Sequence, residues 1–220
     1  MTDVQLSGPS HGPASGNPPK QLVVLLHGRG ADGNDLIGLA PMLATQLPDA
    51  LFLAPDAPHL CDGAPFGLQW FSLIDRSPEN IAAGVCGAAP AVDAFLDHHL
   101  ARHGLSDENL ALFGFSQGSM MALHVGLRRK ASPAAVLGYS GMLAAADSLA
   151  GEITVRPPVL LVHGEADAVV PHAALGMAET ALRAAGVPVE AVSRPGLGHG
   201  IDEDGIARAA AALTAAFGGS

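Results

Sequence analysis

The 220-residue chain is long enough to form one globular domain with a substantial core, although two small domains are also compatible with this length. Its hydrophobic content of 49% and mean hydropathy of +0.31 are typical of a globular protein, and its apolar runs are too short to span a bilayer. The net charge of −10, with only 11 lysines and arginines, argues against a nucleic-acid-binding or anionic-membrane-binding surface.

The amino-terminal region, residues 1–20, is rich in proline, glycine and serine. This composition predicts a loose arm that follows a short edge strand at residues 4–6. The region has no apolar stretch flanked by basic residues, so we expect no secretory signal and a cytoplasmic location. The two cysteines, Cys61 and Cys86, are too few for a disulfide framework, and their surroundings indicate no metal site.

The rest of the chain, residues 21–220, alternates between predicted strands and helices and is expected to form the main folded domain. Residues 21–26 form an apolar run typical of a central parallel strand, and a turn rich in glycine and small polar residues follows at 27–35. Leucines at helical spacing then predict a helix over about 36–47, and residues 51–54 predict the next strand.

A long aperiodic segment, residues 55–77, leads to a predicted helix over 77–104. Connections of this length in compact domains are often functional. Trp70 and Phe71 lie in this segment, where they either line an apolar substrate pocket or fill the core beneath the segment. Met142, which lies just past a later strand, is a further candidate for the pocket.

The most informative stretch is a turn around Ser116, which lies between an apolar strand at 109–113 and a helix at 120–130. A serine in this position, with Gly114 two residues before it and Gly118 two residues after it, is typical of a nucleophile elbow. A side chain at either glycine would collide with the closely packed strand and helix. The helix N-terminus beneath the hydroxyl favours developing negative charge. The alternative interpretation is a glycine-rich connection without a catalytic role.

Further buried strands are predicted at 135–140, 158–163 and 187–192, with helices at about 172–185 and near the end of the chain. Strands separated by helices predict an α/β fold. We therefore expect a single domain with a mainly parallel sheet covered by helices on both faces.

A catalytic serine needs a base to accept its proton and an acid to orient that base. In an elbow-bearing sheet these residues follow strand ends, the acid before the histidine. Asp167 follows a buried strand, and Glu165 in the same turn is the alternative acid. His199, flanked by glycines after the last strand, is the candidate base among ten histidines. His27 and His163 directly end strands, so we expect backbone hydrogen bonds to hold them.

Two backbone N–H groups are expected to stabilise the oxyanion of a tetrahedral intermediate. One belongs to Gln117, the residue after the serine. The other is assigned to Arg29, in the loop after the first central strand. The Arg29 side chain is a separate question, because it either contacts the substrate or caps a loop.

With these residues collected, the chain resembles the bacterial phospholipase/carboxylesterase family, a group within the α/β-hydrolase superfamily that also includes acyl-protein thioesterases. The resemblance extends over about residues 22–217. The matching stretches are LHGRGADGND at 26–35, PDAP at 55–58, QWF at 69–71, GFSQG at 114–118, HGEAD at 163–167 and GHG at 198–200.

The resemblance implies an α/β-hydrolase fold without a large cap domain. It maps Ser116, Asp167 and His199 onto the catalytic triad, and Arg29 and Gln117 onto the oxyanion donors. Members of the group cleave esters or thioesters of short to medium acyl chains, need no metal or other cofactor, and often form dimers. The residue at the position of Arg29 is frequently apolar in this family. An arginine there would change the polarity of the pocket mouth and hence the favoured substrate.

The predicted function is therefore that of a serine esterase or thioesterase that cleaves a small-molecule substrate through an acyl-enzyme. We expect no nucleic-acid partner and no stable membrane insertion, and a homodimer is compatible with the resemblance. The alternatives are a lysophospholipase, an acyl-protein thioesterase, a peptidase-like acyl transferase, or a non-catalytic small-molecule receptor on the same fold.

Overall fold

The structure, a computed structural model, describes residues 5–218 of the chain. Within these residues the strands are β1 (Ser10–His11), β2 (Gln21–Leu26), β3 (Ala50–Leu53), β4 (His59–Leu60), β5 (Leu68–Gln69), β6 (Leu110–Phe115), β7 (Ala135–Tyr139), β8 (Val159–Gly164) and β9 (Val189–Arg194). The helices are α1 (Gly33–Ile37), α2 (Ala40–Ala44), α3 (Pro78–His103), α4 (Gln117–Gly126), α5 (Leu149–Glu152), α6 (Ala173–Ala184) and α7 (Glu203–Ala216).

Seven strands form one sheet in the order β1-β3-β2-β6-β7-β8-β9. All neighbouring strands in it are parallel except β1 and β3. Strands β2, β6, β7 and β8 are buried almost throughout, as their unbroken apolar sequences predict. The carboxyl ends of the parallel strands meet at one edge, where the loops after β2, β6, β8 and β9 lie.

Each face of the sheet carries its own layer of apolar side chains. On one face α3, α4 and α6 contribute buried residues such as Val92, Met121 and Leu182. On the other face α1, α2 and α7 contribute residues such as Leu43 and Leu213. The prediction of a mainly parallel sheet with helices on both faces is confirmed. No helix within residues 5–218 has both the length and the apolar character needed to cross a bilayer.

The segment before β2 differs from the loose arm that its composition predicts. Ser10 pairs with Leu53 on the edge of the sheet, and Leu6 is 7% exposed. Gly8 allows this close approach, because a Cβ there would lie 2.1 Å from the Ala54 carbonyl oxygen. The edge strand is therefore β1 rather than residues 4–6. Val4 lies outside the described residues, and Gln5 and Leu6 are not in a strand.

The predicted helix over 36–47 is divided into two short helices, α1 and α2. Pro41 lies in the first turn of α2. Because proline has no N–H to donate to the preceding turn, the helix ends and a new one begins there. The leucine stripe nevertheless faces the core, since Leu36, Leu43 and Leu47 are each at most 5% exposed.

Candidate active site

Ser116 lies at the sharp turn between β6 and α4, at the carboxyl edge of the sheet. Its backbone has φ 55° and ψ −116°, in a region that non-glycine residues rarely adopt. A Cβ at Gly114 would lie 2.2 Å from the Gly118 carbonyl oxygen, and one at Gly118 would lie 1.9 Å from the Leu26 carbonyl oxygen. The steric requirement for both glycines is confirmed, and the turn holds the serine in its strained conformation.

Ser116, His199 and Asp167 form a hydrogen-bonded row. His199 Nε2 lies 3.0 Å from Ser116 Oγ, and His199 Nδ1 lies 2.8 Å from Asp167 Oδ2. The carboxylate next to Nδ1 favours the tautomer with the proton on that nitrogen, which leaves Nε2 free to accept the serine proton. Ser116 follows β6, Asp167 follows β8 and His199 follows β9, so the sheet brings distant parts of the chain together at one edge.

The Asp167 side chain is fully buried, whereas that of His199 is 19% exposed. Burial of the carboxyl raises the pKa of Asp167, but hydrogen bonds from His199, Val170 and Val169 more than offset this effect and hold the pKa below its ordinary value. The Val169 and Val170 N–H groups donate to Oδ1 at 2.8 and 2.9 Å. Asp167 is therefore an ionised acceptor at neutral pH, with both oxygens in use.

Glu165, the alternative acid, belongs to a different network. Its Oε1 accepts a hydrogen bond from Ser193 Oγ at 2.8 Å. The same hydroxyl lies 2.8 Å from His172 Nε2. The structure therefore places Asp167, and not Glu165, against His199.

His27 and His163 are held by backbone groups, as predicted. His27 Nε2 accepts from the Ala57 N–H at 3.0 Å, so Nδ1 carries the proton and donates to the Gly28 carbonyl oxygen at 2.8 Å. Burial lowers the pKa of His27, although the Gly28 hydrogen bond and nearby aspartates act against this effect. His163 Nε2 lies 3.0 Å from the Val170 carbonyl oxygen.

The loop after β2 runs directly beside the serine. A Cβ at Gly28 would lie 3.3 Å from Ser116 Cβ. The backbone N–H groups of Arg29 and Gln117 have no hydrogen-bond partner among residues 5–218. Both are therefore free to donate to a ligand at this edge of the sheet.

The side chains of Arg29 and Gln117 fasten the 55–77 segment to the site. Arg29 Nη2 donates to the Asp62 carbonyl oxygen, and its Nε donates to Gln69 Oε1 at 3.3 Å. Gln117 is fully buried. Its Oε1 accepts from the Trp70 N–H at 2.9 Å, and its Nε2 donates to the Phe71 carbonyl oxygen at 2.8 Å. Of the two alternatives for the Arg29 side chain, the structure shows the loop-capping one.

The anchoring role of Gln117 was not foreseen from sequence. The position of Gln117 in the sequence indicates this role, because a polar side chain beside the serine at the start of a buried helix needs hydrogen-bond partners.

Trp70 and Phe71 fill the core under their segment, since they are 1% and 6% exposed. Trp70 Nε1 donates to the His27 carbonyl oxygen at 2.9 Å. With α3 they also line a surface groove of about 500 Å³ whose lining does not include Ser116. Met142 is half-buried and lines a small cavity of about 10 Å³, which cannot hold an acyl chain.

Within residues 5–218, no three or more histidine, cysteine, aspartate or glutamate side chains are arranged to hold a metal ion.

A sequence profile of the phospholipase/carboxylesterase family matches residues 13–216. The chain belongs to this family. The family member described here is accordingly a hydrolase of the carboxylesterase and thioesterase type, with the α/β-hydrolase fold.

Individual relatives agree with this assignment. Esterase YpfH of Escherichia coli strain K12 is 30% identical over 185 residues, which cover 84% of this chain and 78% of that protein. Acyl-protein thioesterase 1 of Neurospora crassa is 27% identical over 194 residues, which cover 80% of this chain and 79% of that protein. The crystal structure of esterase PE8 superimposes with a TM-score of 0.92 at 43% identity, covering 96% of this chain and 99% of that one.

Proposed function

We propose that this family member is a serine hydrolase that cleaves carboxylic esters or thioesters of short to medium acyl chains through an acyl-enzyme on Ser116. The observation that carries the proposal is the position of His199, with Nε2 3.0 Å from the serine hydroxyl and Nδ1 2.8 Å from a buried carboxylate. A hydroxyl, a base and an oriented acid in this order can generate a nucleophile at neutral pH.

In the first half of the reaction, Ser116 Oγ attacks the carbonyl carbon and its proton passes to His199 Nε2. The tetrahedral oxyanion accepts hydrogen bonds from the backbone N–H groups of Arg29 and Gln117. The carbonyl re-forms, the bond to the alcohol or thiol breaks, and His199 donates its proton to that leaving group. The acyl group remains as an ester on Ser116.

In the second half, a water molecule attacks the acyl-enzyme and gives a proton to His199 Nε2. Collapse of the second tetrahedral intermediate releases the carboxylic acid and returns the proton to Ser116 Oγ. Asp167 stays ionised throughout and stabilises the imidazolium that forms twice in the cycle.

An apolar acyl group is supported by exposed apolar side chains on the 55–77 segment, which Arg29 and Gln117 fasten to the site, and on the turn that carries Asp167. Leu60, Phe66 and Ile74 on the 55–77 segment are 80%, 75% and 81% exposed. Val169, next but one to Asp167, is 58% exposed. Large apolar side chains with this exposure offer contact area to an apolar substrate.

The proposal is tested by assaying the purified protein against p-nitrophenyl esters of increasing acyl length and against an acyl thioester. Ser116→Ala should lower kcat by several orders of magnitude while the fold is retained, because only binding and the oxyanion donors remain. The thioester arm decides between carboxylesterase and thioesterase activity.

Ser119→Ala is the matched control, since Ser119 lies on the same helix and is 1% exposed but does not contact His199. It should retain wild-type turnover. An electrophilic phosphonate should label Ser116, and peptide mapping should find no label on Ser119 or Ser140. Near wild-type hydrolysis by Ser116→Ala, or a label on another serine, would overturn the assignment of Ser116 as the nucleophile. Absence of both hydrolysis and labelling in the wild-type protein would favour the non-catalytic alternative.

A further inference from the structure

His163 is a buried histidine that the proposed reaction does not use. It lies on β8, one residue before the end of the strand, and is 2% exposed. Its Nε2 lies 3.0 Å from the Val170 carbonyl oxygen and 3.2 Å from Asp167 Oδ2. Because this nitrogen faces two oxygen acceptors, it must carry the ring proton.

The contacts of His163 and Asp167 form a closed set around one short turn. The Val170 N–H donates to Asp167 Oδ1 at 2.9 Å, while the Val170 carbonyl accepts from His163. Asp167 Oδ2 lies between two imidazoles, with His199 Nδ1 at 2.8 Å and His163 Nε2 at 3.2 Å. The carboxylate is therefore tied to the sheet by a side chain of β8 as well as by its own loop.

We propose that His163 is a positioning residue that holds the Asp167 carboxylate in the plane required by His199. The His163 N–H holds the Val170 carbonyl oxygen, and the Val170 N–H in turn holds Asp167 Oδ1. The His163 N–H also lies beside Asp167 Oδ2, so its partial positive charge faces the carboxylate. A rotation of the carboxylate would separate it from His199 Nδ1, and the imidazole would lose both its tautomer and its orientation. This inference rests on the proposed function, because it assigns a role within that reaction.

The surroundings of His163 keep its ring in place. His172, at the start of α6, meets the ring edge-on, with centroids 5.9 Å apart and planes at 84°. His172 is in turn held through Ser193, which also contacts Glu165. Apolar residues of β8 and α6, Leu161 and Leu175 among them, enclose the cavity beside it. The ring has the fixed setting that a positioning residue requires.

The test compares His163→Leu, which has similar volume but no donor, with His163→Gln, whose amide nitrogen can replace Nε2. His163→Leu should lower kcat about tenfold with little change in KM, because the turn that carries Asp167 loses its hydrogen bond to β8 and the carboxylate loses the N–H beside Oδ2. His163→Gln should stay within about threefold of wild type. His163→Met, also unable to donate, replaces the leucine variant if that variant does not fold.

A double-mutant cycle separates positioning from general loosening of the fold. In an Asp167→Asn background, His163→Leu should cause almost no further loss, because its effect passes through the carboxylate. His124→Leu removes another buried histidine, 5% exposed on α4, and should leave kcat unchanged. An equal loss from His163→Leu in both backgrounds, or full activity in the leucine variant, would overturn the inference.

A spectroscopic readout does not depend on turnover. In the Ser116→Ala protein, the His199 Nδ1 proton shared with Asp167 should give a downfield NMR resonance. His163→Leu should broaden or remove that resonance, and His163→Gln should preserve it. Absence of ester hydrolysis in the wild-type protein with this pattern intact would refute the proposed function alone. An unchanged resonance in His163→Leu would refute the positioning role alone.

Discussion

At the residue scale, replacing each carboxylate of the turn after β8 by its amide distinguishes the role of Asp167 from that of Glu165. Both oxygens of Asp167 face N–H groups: two backbone N–H groups lie at Oδ1, and the imidazoles of His199 and His163 lie at Oδ2. In either orientation of its amide, an asparagine at this position would place its NH2 group against another N–H donor. We expect Asp167→Asn to lower kcat by about 10⁴, measured with an activated ester.

Glu165→Gln is the matched control for this change. Its partner is the Ser193 hydroxyl, which can rotate to donate or accept. We expect kcat to remain within about threefold of wild type. A larger loss at Glu165→Gln than at Asp167→Asn would mean that the acid has been assigned to the wrong residue.

At the element scale, two glycines of α3 distinguish intrinsic helix propensity from packing. A Cβ at Gly87 has no atom within 4 Å, whereas one at Gly84 would lie 2.5 Å from Phe71 Cδ2. Gly87→Ala should raise the free energy of unfolding by about 1 kcal/mol, because alanine loses less backbone entropy in a helix. Gly84→Ala should lower it by about 1–3 kcal/mol through overpacking. Urea denaturation of both variants measures these changes.

The two variants should also differ in turnover. Phe71 is linked to the site, since its carbonyl oxygen accepts from Gln117 Nε2 at 2.8 Å. Displacement of Phe71 by Gly84→Ala should therefore disturb the start of α4 and lower kcat, while Gly87→Ala retains it. Equal stability and activity in the two variants would contradict the packing of α3 against the 55–77 segment.

At the scale of the whole molecule, buried histidines set the response of stability to acid. Burial, followed by the positive charge of Arg128, lowers the pKa of His124 to about 4. Burial and the neighbouring His98, His103 and Arg102 lower the pKa of His99 to about 4 as well. The ordinary histidine pKa is 6.5, so the unfolded chain binds more protons than the folded chain between these values.

The sign follows from this difference in bound protons. The free energy of unfolding should decrease as pH falls from about 6.5 to about 4, and His124→Leu should reduce that decrease by about 2 kcal/mol. The carboxylates with lowered pKa, including Asp167 and Asp202, affect stability only at lower pH. Urea denaturation at several pH values in this window tests the point. Parallel pH curves for wild type and His124→Leu would show that His124 is not the group responsible.

The features that could be predicted from sequence are those that depend on local sterics and on hydrophobic patterning. A side chain at Gly114 or Gly118 would overlap neighbouring backbone atoms. The turn therefore requires glycine at both positions, and residues 114–118 are enough to predict it. Unbroken apolar runs predicted the central strands, because a strand buried on both faces has no polar positions. Asp167 and His199 could be predicted to meet Ser116, because the carboxyl ends of parallel strands lie at the same edge of a sheet.

The contacts between side chains of different loops could not be predicted, because they depend on tertiary packing. Asp167 and Glu165 are two residues apart in one turn, yet one accepts from His199 and the other from Ser193. A loop has no fixed periodicity, so the direction of its side chains depends on the neighbouring loops that pack against it. The same reason applies to the Arg29 side chain and to the burial of Trp70.

The amino-terminal segment and His163 show the same limit at longer range. A Pro/Gly-rich composition predicts too little apolar surface to order a segment, but β1 gains backbone hydrogen bonds from the exposed edge of β3. In the sequence, His163 is a histidine before a glycine, and nothing indicates a contact with Asp167. In the structure, its Nε2 lies 3.2 Å from Asp167 Oδ2, because the turn after β8 folds back over the end of the strand. Long-range contacts of this kind depend on the relative positions of packed elements, which local sequence does not encode.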